Sequence, residues 1–191
     1  MPLTQLDSRT ALIVVDLQKG IVGLPLAHDA GAVVKHAARL AEAFRYHQLP
    51  VVLVNVAGGA PGRTEQPRAG GTPASDWTEL VPAMTPLAND ICITKRCWGA
   101  FSHTGLEDKL SALSVTQVVV VGIATSIGVE STARQAYELG LNVSLCTDAM
   151  TDVNVYAHHN SLERIFPRLG ETGTCEELLA LLDKRDNIQT G

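Results

Sequence analysis

The sequence is sparing with the features that would announce a partner. No run of Lys and Arg occurs, and the formal net charge is −5, an excess of acid spread along the chain. Nucleic acid and anionic membrane surfaces are therefore excluded as expected partners. No apolar stretch approaches the ~20 residues that span a bilayer. The opening Met1-Pro2-Leu3-Thr4-Gln5 lacks a basic start before an apolar run, so no signal peptide is expected. The four cysteines (Cys92, Cys97, Cys146 and Cys175) never fall at C-x-x-C spacing. They read as reduced thiols of a cytoplasmic protein. Gly122 and Gly128 do not complete a G-x-G-x-x-G, and no G-x-S-x-G is present. A dinucleotide fingerprint and a serine nucleophile elbow are both missing. No cofactor is expected.

What is present is an alternation of apolar runs and amphipathic stretches across 191 residues, 46% of them hydrophobic. That length suits one domain (1–191) with one sizeable core. Strands are predicted at 10–15, 51–56, 91–94, 118–121 and 142–146, with a short edge strand near Glu171-Thr172. Helices are predicted at 29–48, 104–113, 127–139 and 155–165, the last closed before Pro167. Thr104 with Glu107, and Thr174 with Glu177, have capping-box spacing, and the second pair opens a final helix that frays over 184–191. The pattern implies an α/β, three-layer Rossmann-like fold: a mostly parallel sheet of five to six strands with helices on both faces. One stretch breaks the rhythm. Residues 57–75 are rich in Gly and Pro and carry Arg63 and Arg68, which reads either as a solvent-exposed insertion or as a lid.

In open sheets of this kind ligands bind beyond the carboxyl ends of the strands, where strand order reverses. Asp16 ends the first strand, Lys95 ends the third, and 123–128 links the fourth strand to its helix. An acid and an amine at adjacent strand ends can pass a proton, or can simply be an ion pair. The turn offers peptide N–H groups to an anion, and Gly128 permits close approach, or else serves tight packing. Adjacent His158 and His159 point to different helix faces, so they read as surface residues rather than metal ligands. Thr125 and Ser126 read as helix N-caps.

At these places the chain resembles the isochorismatase-like, or cysteine hydrolase, superfamily. Val14-Val15-Asp16-Leu17-Gln18 is similar to its first motif, and Thr94-Lys95-Arg96 with Trp98-Gly99-Ala100-Phe101 to its lysine segment. Residues 122–133 (Gly-Ile-Ala-Thr-Ser-Ile-Gly-Val-Glu-Ser-Thr-Ala) resemble its nucleophile segment, and Thr147-Asp148-Ala149 the element after the fifth strand. The resemblance implies Asp16 as proton-transferring acid, Lys95 as its tuner, and an anion pocket from the amides of Ala124 and Gly128. It also implies a cis peptide between Ile123 and Ala124, and a substrate pocket that includes Gln18, Trp98, Phe101, Thr125 and Ser126. Where nicotinamidase relatives carry Asp-x-His after the second strand, this chain has Asn55-Val56-Ala57, so no metal is expected.

The family's nucleophilic cysteine would stand at Gly128, which has no side chain to attack with. Cys97 is a conceivable substitute. True isochorismatases resemble this chain in having glycine there and cleave a vinyl ether by protonation. The resemblance therefore implies a hydrolase that uses Asp16 as general acid on a small, carboxylated substrate. The alternative is a catalytically silent binding or scaffold protein. The family also implies a homo-oligomer, a dimer or higher.

Overall fold

Six segments, all but the last mainly apolar, assemble into one sheet in the order β3-β2-β1-β4-β5-β6. They are β1 (Thr10–Val15), β2 (Val51–Val56), β3 (Ile91–Lys95), β4 (Gln117–Ile123), β5 (Asn142–Thr151) and β6 (Glu171–Gly173). Every neighbouring pair is parallel. The computed structural model describes residues 3–66 and 73–189. Arg68 and the middle of the 57–75 loop lie outside the described residues.

A central parallel strand is covered on both faces, so its residues are apolar or, like Thr10, polar with their hydrogen bonds met. β1 is buried at every position. Leu12 and Val14 face one cluster; Ala11, Ile13 and Val15 face the other. Two helices cover the first face: α2 (Ala30–Tyr46), through Val33, Ala37, Leu40 and Phe44, and α7 (Cys175–Gln189), through Leu178 and Leu182. Three cover the second: α3 (Leu106–Ala112) with Leu106 and Leu110, α4 (Glu130–Glu138) with Ala133 and Ala136, and α6 (Phe166–Leu169) with Phe166. Burying a side chain such as Phe44 completely contributes roughly 1.5–3 kcal/mol. Among the described residues no helix is long and apolar enough to cross a membrane.

Local expectations fare unevenly. Asp29 caps α2 by accepting from the amides of Gly31 and Ala32. At α7 the capping box closes in both directions: Thr174 N donates to Glu177 Oε2, and Glu177 N to Thr174 Oγ1. At α3 no such box forms. Gly105, with φ +69°, is the cap, and the Thr104 hydroxyl donates to Ala100 O at 2.6 Å while accepting from Leu106 N at 3.3 Å, not from Glu107.

The fifth strand runs five residues beyond its predicted end. Leu145 pairs with Val120 and Met150 with Gly122, so β5 bulges between them, and polar Thr147-Asp148 lie inside the strand rather than after it. Pro167 does not close its helix either. After α5 (Val155–Asn160) the chain widens into a π-turn at Ser161–Ile165, and Pro167 falls in the first turn of α6, where its missing N–H costs nothing. The backbone of α7 is helical to Gln189, into the stretch expected to fray.

Candidate functional site

Strand order reverses between β1 and β4, and the first residue past β1 is Asp16. Its φ is +52°, unusual for a residue with a Cβ, and this turns the carboxylate over the sheet's carboxyl edge. Beside it Gly122 has φ +123°, and a Cβ there would lie 2.0 Å from Val15 O. Only glycine lets β4 pass so close.

Lys95 reaches the same place from the end of β3, which is two strands away from β1 rather than adjacent as the sequence reading had it. Its ammonium donates to Asp16 Oδ2 at 2.7 Å, Trp98 O at 2.8 Å and Cys97 O at 3.3 Å. Three donors meet three acceptors, which is what a lysine only 2% exposed requires. Asp16 is 4% exposed, and its Oδ1 has no hydrogen-bond partner. Burial pushes the Asp16 carboxyl up to about 6, and the Lys95 ammonium only partly opposes it.

The third component is the turn after β4. The Ile123–Ala124 peptide is cis, and Thr125–Val129 forms a single π-turn leading into α4. Gly128, buried, packs against both Asp16 and Lys95. A Cβ on it would lie 2.9 Å from Val15 Cγ1, 3.2 Å from Asp16 Oδ2 and 3.5 Å from Lys95 Nζ. Acid, amine and bare backbone thus meet at one buried point. Thr132 fixes the turn by donating to Gly128 O at 2.7 Å and accepting from Ala100 N at 3.1 Å.

Several expected pocket residues are otherwise engaged. Gln18 is fully buried and bridges backbone: its Nε2 donates to Val56 O and Trp77 O, and its Oε1 accepts from Val56 N. It pins the end of β2 and is not open to a ligand. Phe101 packs with the α3–α4 side of the core, and its amide donates to Gln135 Oε1. Cys97 contributes its carbonyl to Lys95. Asn55 is likewise engaged, donating to Thr78 O and accepting from Thr94 Oγ1. Trp98 is 63% exposed and lines a groove of about 570 Å³ whose walls include none of Asp16, Lys95 and Gly128. Trp77 also lines that groove and lies on Gly20, where a Cβ would be 2.0 Å from its ring.

Thr125 and Ser126 do not cap the helix. Thr125 Oγ1 is 2.8 Å from His158 Nδ1, while Ser126 gives both its amide (2.7 Å) and its hydroxyl (2.8 Å) to Asp152 Oδ2. The hydroxyls hold the turn from beneath and are not presented to a ligand. His158 is therefore a buried residue and not a surface one, its ring tilted 53° against that of His28 with 4.7 Å between centroids. Burial, with His28 and His159 nearby, holds its imidazolium form below the usual histidine range. His159 is exposed. The sequence reading missed Trp77 and Asp152. Trp77 had a faint signal, one of two tryptophans and just past the Gly/Pro-rich loop; Asp152 had none once the fifth strand was ended early.

The Isochorismatase domain model matches residues 10–177. The uncharacterized isochorismatase family protein YwoC of Bacillus subtilis (strain 168) is 43% identical over 179 residues, covering 90% of this chain and 93% of its own. YecD of Escherichia coli O157:H7, described in the same words, is 41% identical over 182 residues, with 91% and 96% covered. The solved structure of an isochorismatase family protein from Burkholderia thailandensis superposes with a TM-score of 0.89 at 38% identity, covering 94% of this chain and 98% of the other. With Asp16, Lys95 and Gly128 together at the strand-order reversal and this likeness along nearly its whole length, the chain belongs to the isochorismatase family of hydrolases.

Proposed function

We propose that the chain hydrolyses a small carboxylated substrate of vinyl-ether type, with Asp16 as general acid and no protein nucleophile. The observation that carries this is the split carboxyl. Asp16 Oδ2 is taken by Lys95 while Oδ1 is buried and unpartnered, so Oδ1 is the oxygen on which a proton would sit. A carboxyl pushed up to about 6 keeps a usable protonated fraction near neutral pH, as a general acid needs.

In this reading Gly128 stands where cysteine hydrolases of the family carry their thiol, and it brings no nucleophile of its own. The amides of Ala124 and Gly128 hold the substrate carboxylate, and Trp98 borders its approach. Asp16 gives its proton to the terminal enol-ether carbon, and the electron deficiency is shared between the adjacent carbon and the ether oxygen. Water adds to that carbon and returns a proton to Asp16. The resulting hemiketal breaks its bond to the ether oxygen and releases an alcohol and a ketone. Self-association and a cytoplasmic setting belong to the same reading.

A second reading is favoured by one observation: the ion pair is almost wholly buried, as a structural pair in a silent binding protein would be. A coupled assay of pyruvate release from isochorismate, with Asp16→Asn alongside, tests the first reading. Release that vanishes in Asp16→Asn supports acid catalysis; equal release from both removes it. Carboxylated metabolites that raise the melting temperature without turnover favour the second.

A further inference from the structure

One buried histidine beneath the site has no part in the proposed chemistry. His158, on α5, is 5% exposed, and its Nδ1 lies 2.8 Å from Oγ1 of Thr125, the first residue of the turn after β4. Thr125 is fully buried, and among the described residues its hydroxyl has no other partner. A buried hydroxyl proton without an acceptor is costly. Thr125 therefore donates to an unprotonated Nδ1, and His158 carries its single proton on Nε2. The neighbouring Ser126 is held differently, by the Asp152 carboxylate through both amide and hydroxyl. The turn thus has two anchors, and one of them is an imidazole, whose charge changes near neutral pH.

The surroundings of that imidazole disfavour its charge. The His28 ring, from the segment ahead of α2, lies 4.7 Å away between centroids, and its Nδ1 is 2.8 Å from Thr151 Oγ1. His159 follows on α5 at 5.7 Å. Asp152, at the end of β5, favours the charged ring, but both its oxygens are already engaged, by Ser126 and by the Asn154 amide. Glu130 of α4 turns instead to Ser161 and Arg134, and Glu163 and Arg164, after α5, are exposed to solvent. Two imidazoliums at this spacing would repel strongly where little water screens them. Burial and the two other rings accordingly hold His158 below the usual histidine range. Protonation would also turn Nδ1 into a donor, and the Thr125 proton would lose its acceptor.

We propose that His158, as a neutral imidazole, is a positioning residue for the substrate-binding turn, and that its protonation frees Thr125 and loosens that turn. This role rests on the proposed function in one respect: the Ala124 and Gly128 amides are taken as the cradle of the substrate carboxylate. Ala124 O accepts from the amides of Ile127 and Val129, each at 3.1 Å, so Thr125 stands inside the ring of bonds that shapes the cradle. Releasing its side chain lets the two cradle amides drift relative to each other while Asp16 and Lys95 stay paired. Substrate binding weakens and the proton transfer itself is spared. The acid limb that Asp16 leaves level then ends where His158 takes up a proton, and the fall beyond that point lies in KM rather than in kcat.

The wild-type protein gives the first measurement. The His158 Cε1–H resonance is titrated by NMR, and amide hydrogen exchange across 125–129 is followed over the same pH range and corrected for its intrinsic rate. Protection there should fall roughly tenfold as His158 charges, the size of one lost hydrogen bond, while β1 keeps its protection. His158→Asn, whose amide oxygen can still accept from Thr125 but takes up no proton, should stay protected throughout. Thr125→Val should lack that protection at every pH, and Thr125→Ser should restore it. On a vinyl-ether carboxylate that turns over, Thr125→Val should raise KM roughly tenfold with kcat nearly unchanged. Exchange at 125–129 that ignores the His158 titration, the same acid response in His158→Asn, an equal loss across β1, or a Thr125→Val defect confined to kcat overturns the proposal. Coupled exchange without any turnover removes acid hydrolysis and leaves the positioning role; turnover without coupled exchange does the reverse.

Discussion

Asp16 and Lys95 meet at 2.7 Å although β2 stands between the strands that carry them. Two strand spacings are about 9–10 Å, so the lysine stem must cross over the end of β2 with its ammonium withdrawn from water. Removing one member of a buried pair leaves the other charge uncompensated, at a cost of about 3–5 kcal/mol. Lys95→Met is expected to lower stability by that amount and to push the Asp16 carboxyl higher still. Denaturant unfolding at neutral pH measures the first effect, and a carbon-detected titration of Asp16 the second.

The pH dependence of any acid-catalysed turnover follows from the raised Asp16 carboxyl. The proton is present below about 6 and lost above it. The rate constant kcat/KM should therefore be level on the acid side and fall tenfold per pH unit on the alkaline side. A profile that rises through the same range would assign Asp16 as a base.

The same group gives a stability slope whose sign is opposite to that of most carboxylates. Its folded value, about 6, lies above the ordinary 3.8, so the folded state holds the proton more tightly. Its stabilising contribution is present below 3.8 and is lost as pH climbs through about 6, by on the order of 3 kcal/mol in total. The difference in unfolding free energy between wild type and Asp16→Asn, measured at pH 4 and at pH 7, should change by that order.

Gly128→Ala places a methyl 2.9 Å from Val15 Cγ1 and 3.2 Å from Asp16 Oδ2. Crowding of this kind costs about 1–3 kcal/mol, and turnover should fall further because the added carbon presses on the Asp16 carboxylate. Gly122→Ala is a harsher change, since its Cβ would meet the Val15 carbonyl at 2.0 Å. We expect little folded protein, seen as a loss of soluble yield and of the cooperative thermal transition.

Asp152→Ala would leave the Ser126 amide and hydroxyl without their shared acceptor. An orphaned buried donor costs about 1–3 kcal/mol. Hydrogen exchange should quicken across the turn at 125–129 while the protection of β1 stays unchanged.

How far the sequence could be read follows from where each signal resides. β1, β2 and α2 were legible because burial imposes a pattern on consecutive residues, continuous for a covered strand and helical for α2. The end of β5 and the fate of Pro167 were not, because a bulge and a π-turn admit residues that local rules treat as stops. Asp16, Lys95 and Gly128 were found through short motifs and strand ends, features that survive in one dimension. The second layer of the site was hidden. Gln18, Thr125 and Ser126 carry the polar groups a pocket needs, and only their partners (Val56 and Trp77, His158, Asp152) show that those groups are already engaged.

The amino-acid order by itself determined the parallel α/β class and pointed to the three residues that converge, since periodicity and strand-end position are properties of neighbours along the chain. Tertiary structure alone decided that Lys95 crosses a strand to reach Asp16, that one carboxylate oxygen is left unpartnered, and that Ser126 is held by Asp152. Those are distances between segments far apart in sequence, and packing fixes them through contacts that no local pattern records.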